Sequence, residues 1–125
     1  MDTAITVIQV ILTLIFANAG LLKLAVPYAR FTKLPFQDWS NDFKPEHLRL
    51  IGVVEVCAVA GLIVSRFLNS PTMLTPLAAV GMALVLSGAM ATHLRRSEYL
   101  NMVGNATWLG LALFVAYDTL VEFAV

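Results

Sequence analysis

Four apolar stretches of about twenty residues each leave this chain few ways to fold. The first runs from Ala4 to Leu24 and the second from about Glu46 to Arg66. The third runs from about Thr72 to Leu94 and the fourth from about Tyr99 to Leu120. Twenty helical residues at 1.5 Å each span about the 30 Å hydrocarbon core of a bilayer. Composition agrees. Only 13% of the 125 residues are charged and 59% are hydrophobic, against about 25% charged in an ordinary soluble domain. So short a chain cannot hide that apolar surface in a core, so lipid must cover it. The expected fold is all-α: a polytopic membrane four-helix bundle of up-down topology, residues 1–125 forming one membrane domain.

The first span also invites reading as a signal peptide, because Ala17-Asn18-Ala19 imitates a cleavage site. Its leading Met-Asp-Thr carries no positive side chain, and the apolar pattern continues through Gly20-Leu21-Leu22. It is therefore read as a retained span. Pro27 stops it. Between Ala25 and Pro45, Phe36, Trp39 and Phe43 fall on one helical face. A short amphipathic segment lying in the membrane interface is expected there, with Pro35 at its first position and Trp39 at headgroup level. Asn69-Ser70-Pro71 marks the turn between spans two and three.

The charges sort by side. Lys23, Arg30, Lys33, Lys44, Arg49, Arg95 and Arg96 border the first and third connections, and only Arg66 lies on the side of the termini. Positive residues favour the cytoplasmic face. Connections one and three are thus expected in the cytoplasm and both termini outside, with a bacterial cytoplasmic membrane as the default location. Formal net charge is zero, which gives no general attraction to nucleic acid. The single cysteine, Cys57, excludes an intramolecular disulfide and a Cys-x-x-Cys pair. Among Val56, Ala58 and Val59 it reads as a small, buried, inert hydrophobe.

One acid interrupts an apolar run. Glu55 lies within Gly52–Val64, about 9 Å along the helix from Arg49. A carboxylate so deep must be protonated, paired or solvated, which makes it the first candidate for function. Gly52 shares its face and would let a neighbouring helix approach closely. A second stripe, Ala78, Gly81, Val85, Gly88 and Thr92, suits tight packing on span three. In an up-down bundle, Lys23, Glu55, His93, Asn101 and Asn105 fall in one half, with Asn18 a turn further in. Asn101, Asn105, Trp108 and Ala112 form a polar-then-aromatic stripe on span four. Each candidate also has a plain reading: a snorkelling lysine, an interfacial histidine, or asparagines that glue helices. No set of metal ligands is visible.

Three short motifs then resemble the DoxX-like membrane proteins. They are Gly20-Leu21-Leu22-Lys23-Leu24, Gly52-Val53-Val54-Glu55 and Gly88-Ala89-Met90-Ala91-Thr92-His93. The resemblance covers nearly the whole chain. It implies a four-helix membrane bundle in which Lys23, Glu55 and His93 matter. Some DoxX-type proteins are subunits of quinone-linked sulfur oxidation or of oxidative-stress complexes. A distant animal branch acts in assembly of nicotinic acetylcholine receptors. This chain has no cysteine pair, haem-ligand pair or dinucleotide motif, so it is not expected to be an enzyme on its own.

The leading expectation is a non-catalytic subunit or assembly factor of a membrane complex, with a membrane protein or a second copy as partner. The alternative is a binder of quinone or another lipid-like molecule in a pocket around Glu55, where Glu55 and His93 would bond the polar head and Trp108 and the apolar helices would hold the tail. A proton-coupled transporter is the weakest reading. Small multidrug transporters carry their acid in the first helix, where this chain has none.

Overall fold

A computed structural model describes residues 2–66 and 73–124. The expected turn at Asn69-Ser70-Pro71 lies outside the described residues. Four long helices carry the chain: α1 (Asp2–Ala25), α3 (Pro45–Arg66), α4 (Leu74–Arg95) and α5 (Tyr99–Ala124). Each is long and apolar enough to cross a membrane. Helical segments satisfy every backbone group internally, which hydrocarbon demands. Pro76 falls in the first turn of α4, where a missing N–H costs nothing. At the far end, α5 runs past the expected Leu120 to Ala124.

The connection between α1 and α3 differs from the expected single amphipathic helix. Pro27 ends α1 and starts one further turn, α2 (Tyr28–Phe31), and a 3-10 turn follows at Asp38–Asp42. Pro35 starts nothing. Phe36 takes a left-handed backbone with φ 66° and is 85% exposed. That backbone breaks the helical register, so Phe36 leaves the face that Trp39 and Phe43 share. Those two rings turn toward the bundle. Tyr28 pins the connection, its hydroxyl donating to the Phe43 carbonyl at 2.7 Å.

Helix α1 packs on α3, α3 on α4, and α4 most extensively on α5, while α1 and α5 meet sparingly. The core sits in the half that holds the chain ends. Leu12, Phe16, Leu62, Met82 and Val115 are its large buried side chains. In α5, buried residues begin only at Ala112, and none lies between Tyr99 and Leu111. The bundle is therefore closed at the terminal half and open between α1 and α5 at the other.

The tightest seam is between α1 and α3, where Gly20 and Gly52 face each other. A Cβ on Gly20 would stand 3.1 Å from the Gly52 carbonyl oxygen, and one on Gly52 would stand 3.0 Å from Lys23 Cβ. The expectation for Gly52 holds. The α4 stripe does not hold in the same way, because Gly81 and Gly88 have no neighbouring atom within 4 Å of an added Cβ. The contact ridge of α4 instead runs through Ala78, Ala79, Met82, Ala83 and Leu86. The expected burial of Cys57 is also corrected. It is exposed, because the inward face of α3 passes through Glu55, Ala58, Val59 and Leu62.

Candidate functional site

The glycine seam sets the site. Lys23 lies three residues after Gly20, and Glu55 three after Gly52, so each polar side chain sits on the contact face beside its glycine. Lys23 Nζ lies 2.9 Å from Glu55 Oε1. Both residues are buried, at 8% and 4% exposure. Lys23 therefore does not snorkel to the interface. Taking two charges out of water costs several kcal/mol per ion, which close pairing only partly offsets. That carboxyl oxygen is sealed from solvent, and Lys23 is the group that meets it. A further weak contact joins Lys23 Nζ to the Ala19 carbonyl at 3.5 Å.

His93 arrives from the last turn of α4 and is buried. The α4–α5 connection then doubles back tightly. Glu98 N–H bonds to the His93 carbonyl at 2.8 Å and Ser97 N–H to that of Leu94 at 3.1 Å. Ser97 takes the left-handed conformation, φ 59°, that such a helix stop requires. The turn brings Glu98 Oε1 within 2.8 Å of His93 Nδ1. This hydrogen bond, with help from Arg96, holds the Glu98 carboxyl below its ordinary value against a smaller opposing effect of burial. An ionised carboxylate only accepts, so His93 Nδ1 carries the proton.

Arg96 ties the two connections together. Its Nη1 donates to Asp42 Oδ1 at 2.9 Å, its Nη2 donates to Asp38, and its Nε lies 3.3 Å from Glu98 Oε2. The clasp holds the 3-10 turn over the bundle, and with it Trp39. The Trp39 ring meets Phe43 edge-on at 5.7 Å and His93 at 6.1 Å, and Lys23 Nζ stands 5.7 Å from its centroid.

Beneath Trp39 is a cavity of about 620 Å³. All four long helices and the first connection line it. Its polar groups are Lys23, Glu55, Thr92, His93 and Asn105, with Arg95 also on its wall. Its deeper wall is apolar, including Phe16, Leu84 and Leu86. From His93 to Leu84 is nine residues, or about 13 Å along α4. That volume falls in the range of small-molecule pockets, about 300–1,000 Å³.

Of the seven residues expected at the site, Lys23, Glu55, His93, Asn105 and Trp108 line this cavity. Asn18 does not. It is exposed, because the inward face of α1 runs through Phe16, Gly20 and Lys23. Asn101 stands behind the wall, its carbonyl accepting from Asn105 Nδ2 at 2.9 Å. Sequence reasoning missed Trp39 as a cover, Glu98 as the partner of His93, and the Arg96 clasp. Opposite charges on the two connections of one side were the available signal. Gln9, buried in the closed half with its Oε1 unpaired, was also passed over. Among the described residues, no three His, Cys, Asp or Glu side chains come together as a metal centre would need.

Four membrane-length helices around a cavity with a polar end and an apolar depth define a small integral membrane protein. The sequence model of the DoxX-like family matches residues 7–115, and the chain belongs to that family. No curated protein and no solved structure matches it.

Proposed function

We propose that this protein binds a lipid-like small molecule, such as a quinone, in the cavity around Glu55. The buried Lys23–Glu55 pair on the cavity wall supports this reading most strongly. Ionisable groups inside a membrane are costly and by default mark function. An apolar pair would close the α1–α3 seam at lower desolvation cost. Here the pair faces a cavity with an apolar depth, which matches a molecule with a polar head and an apolar body. On the balance of positive residues, the polar end opens toward the cytoplasmic side of a bacterial membrane and both termini lie outside. Mass spectrometry of an organic extract of the purified protein is the test. A lipid-like molecule in stoichiometric amount is expected. An extract holding only bulk phospholipid, from a protein that also binds no added quinone, would overturn the reading.

A second reading, a non-catalytic subunit or assembly factor, is favoured by the first half of α5. That half buries no residue, and Tyr99, Leu100 and Val103 stand well exposed. A partner helix, from another protein or a second copy, would cover it. Purification in gentle detergent should then yield a defined complex. A protein that stays alone, and whose deletion changes no membrane complex, would remove this reading.

A further inference from the structure

The hydrogen-bonding groups that line the cavity narrow the class of ligand, given that the cavity is a ligand site. Three of them, on Glu55, Asn105 and Thr92, keep a free acceptor. Glu55 is the strongest, because its carboxyl lines the cavity, Lys23 takes up Oε1 at 2.9 Å, and no hydrogen bond meets the other carboxyl oxygen. His93 commits Nδ1 to Glu98, and Nε2 is its remaining polar atom. Asn105 uses one amide N–H for the Asn101 carbonyl and keeps its Oδ1 and its second N–H. Thr92 donates its hydroxyl to the Gly88 carbonyl at 3.0 Å and retains lone pairs. On the donor side stand Lys23, already beside Glu55, the second amide N–H of Asn105, the indole N–H of Trp108 and, at the exposed rim, Arg95.

Charge narrows the class again. Lys23 and Glu55 neutralise each other inside. An anionic head would be set against Glu55 and a cationic one against Lys23, each where little water screens the repulsion. The remaining cation, Arg95, is exposed, where solvent and salt screen it. We infer that the ligand is a neutral amphiphile whose head carries a hydroxyl, phenolic or alcoholic, that donates to the acceptors around Glu55. A hydroxyl also accepts, so it can meet Lys23 or Trp108 in the same pose. A head with carbonyl or ether oxygens alone leaves Glu55 unmet. Of a quinone couple, the reduced dihydroxy form is therefore the complementary one.

The protein supplies its own reporter. Its two tryptophans, Trp39 and Trp108, both line the cavity, so all tryptophan emission comes from there. The wild-type protein in nanodiscs is titrated with four probes of one shape: para-octylphenol, its methyl ether para-octylanisole, para-octylbenzoate and para-octylbenzylammonium. Only the head differs, and the comparison requires no variant to fold. The phenol should bind about ten- to a hundred-fold more tightly than the ether, the range of a hydrogen bond to a charged group. It should also exceed both charged probes. Equal affinity for phenol and ether would overturn the inference and leave the binding proposal standing. So would tighter binding of the benzoate or the ammonium. If no probe changes the emission, both the inference and the binding proposal fall.

Discussion

At the scale of single residues, the site depends on the buried Lys23–Glu55 pair. Removing one member strands the other in a buried site, which typically costs 3–5 kcal/mol. Lys23→Met and Glu55→Leu should each lower thermal stability in detergent by about that much. The double variant should regain most of it, since an apolar pair of similar volume avoids the desolvation cost. A double variant as unstable as the sum of the two would show that the residues do not act on each other. Glu55 was legible in the sequence because an acid within an apolar run has no cheap explanation. Lys23 was only half legible, because a lysine at a helix end usually reaches outward, and only the Gly20–Gly52 contact shows that this one turns inward. Asn18 looked equal to Asn105 as a polar group in a span, but helix rotation decides between them. Weak amphipathicity in membrane helices does not reveal rotation.

At the scale of elements, two contacts position the site. The α1–α3 seam allows no added atom, so Gly52→Ala should destabilise the protein by about 1–3 kcal/mol through overpacking. Gly104→Ala is the control. Nothing lies within 4 Å of its added Cβ, and the gain in helix propensity makes it neutral or stabilising. Thermal unfolding of the two variants side by side checks the contrast. The second contact is the clasp of Arg96 with Asp38, Asp42 and Glu98. The Glu98 carboxyl sits below its ordinary value of 4.5, so its contribution is fully present above that pH. It is lost as pH falls through the lower folded value. Amide protection factors across residues 36–44 should therefore fall in acid below pH about 4.5, and in Arg96→Ala already at neutral pH. Unchanged protection in Arg96→Ala would mean that the clasp does not hold the connection. The 3-10 turn was not legible in advance. The positive-residue rule disregards acids, so Asp38 and Asp42 were left out of account and their pairing with Arg96 went unseen. The positive φ at Phe36 had no signal either, since phenylalanine rarely adopts it.

At the scale of the whole molecule, spans and topology were the plainest part of the sequence. Hydrophobic length alone sets them, and lipid permits few alternatives. What length cannot say is how the four helices splay. The core fills only the half around Leu12, Met82 and Val115, and the other half encloses a cavity beneath Trp39. That asymmetry turns a set of scattered polar residues into one pocket, and it underlies both the binding proposal and the exposed first half of α5. The most direct test of the central claim is native mass spectrometry of the wild type and Glu55→Gln, purified identically in mild detergent. Glutamine keeps the shape of the side chain and cannot ionise. The account predicts a small-molecule adduct on the wild type that is lost or much reduced in Glu55→Gln, with both proteins equally helical. An adduct of the same mass and occupancy on both would contradict it.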